Sequence, residues 1–235
     1  VTLEGLIAEY RLLANDDLDP PWVTDTQLWT FFAEAESEAA IRGRLLLETT
    51  DPAVCQVGVT AGAATYRLHP ALFEVTHAAF SPDTETARSV LTLVSPEWLD
   101  PDPDATRSRC HDGYDTPSRE DWRTDGGRPR VALHTGSSLL IVPTPNIAGT
   151  LHLEGYRTPL GATGSDPEIA AVHHRQLIQW ALYRGLGVPG AEQQDPARAA
   201  LALTQFERYF GLRPDSDLRR ETRSDLPHHV VAHWV

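Results

Sequence analysis

The sequence contains no lysine: all 20 of its cationic side chains are arginine. That excludes a phosphate-binding P-loop, whose lysine reaches the β and γ phosphates, and it excludes Schiff-base catalysis, which needs an amine. A G+C-rich genome that favours Arg, Ala, Gly and Pro codons is a sufficient cause. Methionine is absent as well, so Val1 is expected to come from an alternative start codon or from processing. Cysteine is scarce. Cys55 and Cys110 are too few and too far apart to declare a disulfide framework, and neither sits in a CxxC, which makes a reducing compartment the default. No apolar run approaches membrane-spanning length, and Glu4, Glu9 and Arg11 interrupt the region where a signal peptide would be apolar. The expectation is a soluble protein made in the cytoplasm.

What is present is acidic and foldable. The 235 residues carry a formal charge of -13 and are 41% hydrophobic, enough for one large domain or two small ones. Phosphate neutralisation requires a basic surface, so this balance argues against a nucleic-acid binder. It does not argue against a wall past which nucleic acid slides.

Helical periodicity marks both ends of the chain. Thr2 can cap a helix with Leu3, Leu6, Ile7, Tyr10 and Leu13 on one side, ended by the acidic, proline-containing stretch 15–21. Thr24 and Gln27 then form a T-x-x-Q capping box, with Val23 and Leu28 in the staple positions. That second helix is expected to run on through WTFFAEAESEAAIRGRLLLE, to Glu48, with Leu28, Phe32, Ala35, Ala39 and Leu46 facing the core. Near the other end, Asp166 and Pro167 read as a helix start for the stripe Leu177, Ile178, Ala181, Leu182, Gly185 and Leu186. Asp195 and Pro196 repeat the signal for Ala199, Leu203, Phe206 and Phe210, and Gly211 is a left-handed terminator. Two such helices with a short link read as an antiparallel pair.

Between them the period becomes alternating. Cys55, Val57 and Val59 share a face, Ala61-Gly62 turns the chain, and Tyr66 and Leu68 lie on the return; LFEVTHAAF, VLTLV, RVALH, SLLIV and TLHLEGYR continue the pattern. Residues 100–127 form a long, acidic, proline-rich loop, the kind that serves as an exposed arm or an interface. The expected fold class is α+β. An α-helical bundle of residues 1–50 and 161–211 carries an inserted antiparallel β module, 51–160, and an extended arm, 212–235.

Chemistry-bearing patterns are weak throughout. Asp100, Asp102 and Asp104 have the spacing of a calcium loop, but Ala105 stands where glycine is needed and His111 where a bidentate glutamate is needed. His228, His229 and His233 lack a Cys or acidic partner, and HHVVAHWV alternates like a strand rather than a metal-binding helix. His173 and His174, beside Trp180, read as packing or interface residues, and Glu34, Glu36 and Glu38 as a solvated helix face. There is no G-x-S-x-G elbow and no glycine-rich phosphate cradle after a strand. No catalytic, metal or cofactor site is assigned.

The order of these segments carries more than any one of them. Through WVTDTQLWTFFAEAESEAAIRGRLL, AGAATYRLHPALFEV, LLIVPTPNIAGTLHLEGYRTP, PEIAAVHHRQLIQWALYRGL and FERYFG, the sequence resembles the head-to-tail adaptor, or connector, proteins of tailed bacteriophages and related gene-transfer particles. The resemblance covers most of residues 1–211, and least the long loop and the tail. It implies a non-enzymatic virion protein, assembled in the host cytoplasm, that forms a homo-oligomeric ring, usually of twelve subunits, beneath the portal protein. Such a ring passes the DNA channel to the next neck or tail protein, with genome DNA crossing the lumen unbound and no membrane involved. The carboxyl-terminal arm of such adaptors reaches the portal. Here that role falls on Arg219, Arg220 and Arg223 in a polar tether and on Leu226, His228, His229, Val230, Val231, His233, Trp234 and Val235 in an apolar tip. Trp98, Asp102, Asp104, Tyr114 and Trp122 are candidates for a subunit or neck interface. The alternative reading is a virion-associated binding module whose β section attaches a host glycan or a tail fibre, using Trp98, Tyr114 and Trp122.

Overall fold

Thr2 starts the chain's first helix in the way its side chain dictates: Oγ1 accepts the Gly5 N–H at 3.3 Å, and α1 runs Leu3–Ala14. In this computed structural model residues 1–85, 87–94, 126–188 and 194–213 are described. Asn15, at φ 57°, closes α1. Asp16, 1% exposed, then fixes the loop by accepting the N–H groups of Trp22 and Val23 at 2.8 and 3.3 Å. The capping box at Thr24 and Gln27 is formed in both directions, Val23 and Leu28 are both buried, and α2 spans Asp25–Gly43. It ends earlier than its sequence suggests. Arg44 takes the left-handed conformation at φ 51°, so Leu45 and Leu46 reach the core from outside the helix.

The Asp-Pro pair at 51–52 is itself a helix-start signal. Asp51 caps a single turn, α3 (Pro52–Cys55), which places Cys55 at the end of a turn and not in the strand its alternation predicts. The strands are β1 (Leu47–Glu48), β2 (Gln56–Val59), β3 (Thr65–Arg67), β4 (Leu72–Pro82), β5 (Ser89–Val94), β6 (Gly126–Gly127), β7 (Val131–Thr135), β8 (Ser138–Val142), β9 (Thr144–Pro145) and β10 (Gly149–Arg157). Eight of them make one sheet in the order β1-β10-β4-β5-β7-β8-β3, with β2 also on β10; β6 and β9 pair separately.

The sheet is mixed. β5 and β7 run parallel, Leu93 opposite Ala132, which corrects the expectation of a purely antiparallel module. Parallel neighbours need a crossover of a dozen or more residues, and the chain between Val94 and Val131 has that length. Alternation along the strands turns Leu151 and Leu153 of β10, Ile141 and Leu139 of β8, and Phe80 of β4 into one apolar cluster with Val54, Tyr66 and Leu91. A side chain at Gly155 would collide with the Glu74 carbonyl, so only glycine lets the two backbones pass there.

After β10 the backbone crosses an irregular stretch and a 3₁₀ turn at Ala171–His173 before α4 (His174–Leu186). Asp166 and Pro167 do not start this helix, which has no side-chain cap. Asp195 does cap α5 (Pro196–Phe210), accepting the Arg198 N–H at 3.0 Å, and Gly211 ends it at φ 91°. Residues 1–47 and 156–214 constitute one compact unit, and residues 48–155 are the body of a second. In the first, Leu6, Tyr10, Leu28, Phe32, Leu177, Ile178, Ala181 and Phe206 share one core, so helices from both ends of the chain bury their stripes together.

Candidate docking surfaces of the helical unit

The segment between β10 and α4 is held by a carboxylate of α2 and by two of its own. Glu36, on the same stripe of α2 as Phe32 and Ala39, is 8% exposed. Its Oε1 accepts the N–H groups of Glu168 and Ile169 at 2.5 and 3.0 Å. Burial pushes its pKa above the ordinary 4.5, and the two N–H donors partly offset that rise. The expectation that Glu34, Glu36 and Glu38 share a solvated role is therefore wrong for Glu36. Its helical spacing from Phe32 and Ala39 was the signal that could have found it.

Asp166 turns the other way, its Oδ1 accepting the Leu3 N–H at 2.7 Å. Glu168 takes the N–H groups of Leu160 and Gly161 on Oε1, at 2.6 and 2.5 Å, and Arg157 on Oε2 at 2.7 Å. Partial burial pushes the Glu168 carboxyl up, but Arg157 and the two N–H groups outweigh it and hold the group below its usual value. His174, 6% exposed, sits with Nδ1 2.8 Å from the Val1 carbonyl and Nε2 2.8 Å from the Ile169 carbonyl. His173 instead meets the Tyr209 hydroxyl at 3.1 Å.

At the C-terminal end of α5, Arg42 gathers the residues that follow the helix. Its side chain is 6% exposed, with Nε 3.1 Å from Glu38 and Nη1 3.2 Å from the Gly211 carbonyl and 3.5 Å from Glu207. The guanidinium stacks over Trp180 and Phe206, 5.6 and 5.4 Å from their ring centroids. Arg213 adds a 3.1 Å pair with Glu38. The first residues beyond α5 thus leave the helical unit from a fixed, charge-paired point.

These contacts are structural, and nothing in them resembles a reaction centre. Among the described residues no cluster of His, Cys, Asp or Glu could hold a metal ion, and no helix is long and apolar enough to cross a membrane. Among the described residues the unit exposes apolar side chains on α1 and the loop after it, where Leu12 and Leu18 stand near Asp17 and Asp19 in the chain, on α5 and its end, where Leu201, Tyr209 and Leu212 flank Arg208, and at Val172 in the 3₁₀ turn.

A family model described as SU10 adaptor protein matches residues 1–230. The chain belongs to that family. It is a family of phage head–tail adaptors, structural proteins of the virion neck. No curated protein matches the chain. The match runs on through the tail to residue 230, further than the resemblance read from the helical and strand segments. In this adaptor the predicted portal-binding residues Arg219, Arg220, Arg223, Leu226, His228, His229, Val230, Val231, His233, Trp234 and Val235 lie outside the described residues. So do the interface candidates Trp98, Asp102, Asp104, Tyr114 and Trp122. Arg42 and the exposed faces of α1 and α5 have no counterpart in the sequence reading, which takes Glu36 as solvated and Asp166 as the start of α4.

Proposed function

We propose that this adaptor forms a ring beneath the portal of a phage-like virion and hands the DNA channel to the next neck or tail protein, with residues 212–235 as the arm that docks on the portal. The family match through residue 230 is the observation that carries this reading, because it makes the polar tether and most of the apolar tip part of the adaptor's family pattern. The fixed exit at Gly211 supports it. Arg42 and Glu38 hold the root of the arm, so a tether beyond them starts from a defined place. A polar segment with an apolar end suits ordering on a partner. The charge of -13 suits a lumen past which DNA slides without sticking.

Deleting Leu226–Val235 tests it directly. On this reading, capture of the protein by purified portal should be lost while the thermal unfolding midpoint stays within about two degrees of the full chain's. Undiminished capture would remove the arm's role. Electron microscopy of the protein bound to portal would show whether it is a ring and how many copies close it.

A further inference from the structure

We infer that copies of this chain pack head to tail through two different faces of the helical unit, α5 of one copy lying against α1 and the following loop of the next. The inference rests on the ring reading above and names the surfaces that would build such a ring.

Both helices are amphipathic toward their own core and apolar again on the outside. α1 buries Leu3, Leu6 and Tyr10, and α5 buries Ala199, Ala202, Phe206 and Phe210, in the same cluster. On the opposite sides, Leu12 is 80% exposed and Leu18 51%, while Leu201 is 58% and Tyr209 45%. Leu201 and Arg208 are seven apart and share a helix face, as do Glu4 and Leu12, eight apart. Exposed leucines at these positions gain nothing in the single chain.

The charges decide which occupant fits. The exposed surface of α1 and its loop carries Glu4, Asp17 and Asp19, while its arginine, Arg11, is already spent on Asp16, Asp25 and the Val23 carbonyl. The outer face of α5 carries Arg208, while Arg198 at the start of the helix donates to the Leu13 carbonyl of α1 in the same chain at 2.7 Å. The single acid of α5, Glu207, faces Arg42 instead. Two α5 faces would therefore set arginine against arginine, and two α1 faces acid against acid, both unfavourable arrangements. Only the pairing of unlike faces matches apolar with apolar and opposite charge with opposite charge. An interface of that heterologous kind repeats from copy to copy and closes when the rotation allows.

The test uses Leu12→Asp and Leu201→Asp in the full chain, each checked for an unchanged circular dichroism spectrum and melting temperature. Arg208→Glu serves as a second α5 variant in case Leu201→Asp does not fold. Sedimentation velocity with chemical cross-linking should show a concentration-dependent ladder for the natural sequence and monomer for each variant alone. An equimolar mixture of Leu12→Asp with an α5 variant should form dimer and stop there, because one good face remains on each partner. A natural chain that stays monomeric at every concentration, a ladder that survives in either variant, or a mixture that stays monomeric would overturn the inference. Portal capture is read separately. Capture without a ladder rejects these faces and leaves the neck assignment standing, whereas a ladder with capture that survives loss of the arm rejects the arm's role and leaves the faces standing.

Discussion

Asp166 and Leu3 lie 163 positions apart, yet the Asp166 carboxylate accepts the Leu3 N–H at 2.7 Å. The residue that reads as the cap of α4 is a second cap of α1, acting across the unit beside Thr2. A carboxylate near a helix N-terminus satisfies an orphan donor and meets the positive end of the helix dipole. Asp166→Ala should therefore lower stability by about 1 kcal/mol, as cap removals do. Asp166→Asn, which keeps the acceptor and loses the charge, should lose about half of that or less. Chemical denaturation gives both values, and equal losses for the two substitutions would show that the hydrogen bond is not what matters.

Glu36 offers a pH test whose sign is fixed by its surroundings. Burial raises its pKa above 4.5 in the folded protein. A carboxyl raised on folding binds its proton more tightly in the native state, so the native state gains as pH falls toward 4.5 and loses as pH rises through the folded value. Glu36→Gln keeps an acceptor for the Glu168 and Ile169 N–H groups without the buried charge. It should match or exceed the natural protein at neutral pH, with the difference shrinking as the pH is lowered. Glu36→Ala leaves both donors without an acceptor and should cost roughly 2 to 4 kcal/mol, since each unsatisfied buried group costs about 1 to 3. If Ala and Gln behave alike, the two short hydrogen bonds are not holding the segment.

Phe206 is fully buried, with Trp180 and Phe210 at ring-centroid distances of 5.1 and 4.7 Å. Phe206→Ala should cost about 3 to 5 kcal/mol in equilibrium unfolding, the range for a large ring removed from a packed core. The same truncation at Tyr209, 45% exposed on the next turn, should cost under about 1 kcal/mol. A reversal of that order would mean the helix presents its other face to the core.

Features set by near neighbours in the chain were legible before the structure. The capping box at Thr24, the cap at Asp195 and the terminator at Gly211 each depend on residues within a turn, and each forms as its local chemistry demands. What misled was the long-range partner. Asp166 has a start signal beside it, but Leu3 competes for its carboxylate; Glu36 looks like its exposed neighbours, but two N–H groups from the other end of the chain draw it inward. The parallel pairing of β5 with β7 is equally invisible to alternation, because period two reports which face a side chain takes and not which way the neighbouring strand runs. The period also misplaces single residues: Leu13, read on the same side as Tyr10, is 43% exposed, and on α5 Ala202 is the buried residue where Leu203 is expected.

The contact between α1 and α4 rests on the absence of a side chain. The Tyr10 hydroxyl occupies the space a Cβ would need at Gly185, and Tyr10 itself is 1% exposed. Burial, aided by Asp16 and opposed by Arg11, pushes the Tyr10 phenol from 10.0 up to about 12. The native state therefore keeps the proton that the unfolded chain releases near pH 10, and stability falls as pH rises from 10 toward 12. The loss should reach about 2 to 3 kcal/mol, at 1.36 kcal/mol for each unit of pKa difference. Tyr10→Phe should flatten that alkaline slope while keeping the ring. Gly185→Ala in the natural sequence should cost about 1 to 3 kcal/mol through overpacking. Because the added methyl meets the hydroxyl and not the ring alone, the same change in a Tyr10→Phe background should cost less. Strict additivity in that double-mutant cycle would show that the hydroxyl does not sit against Gly185 in solution.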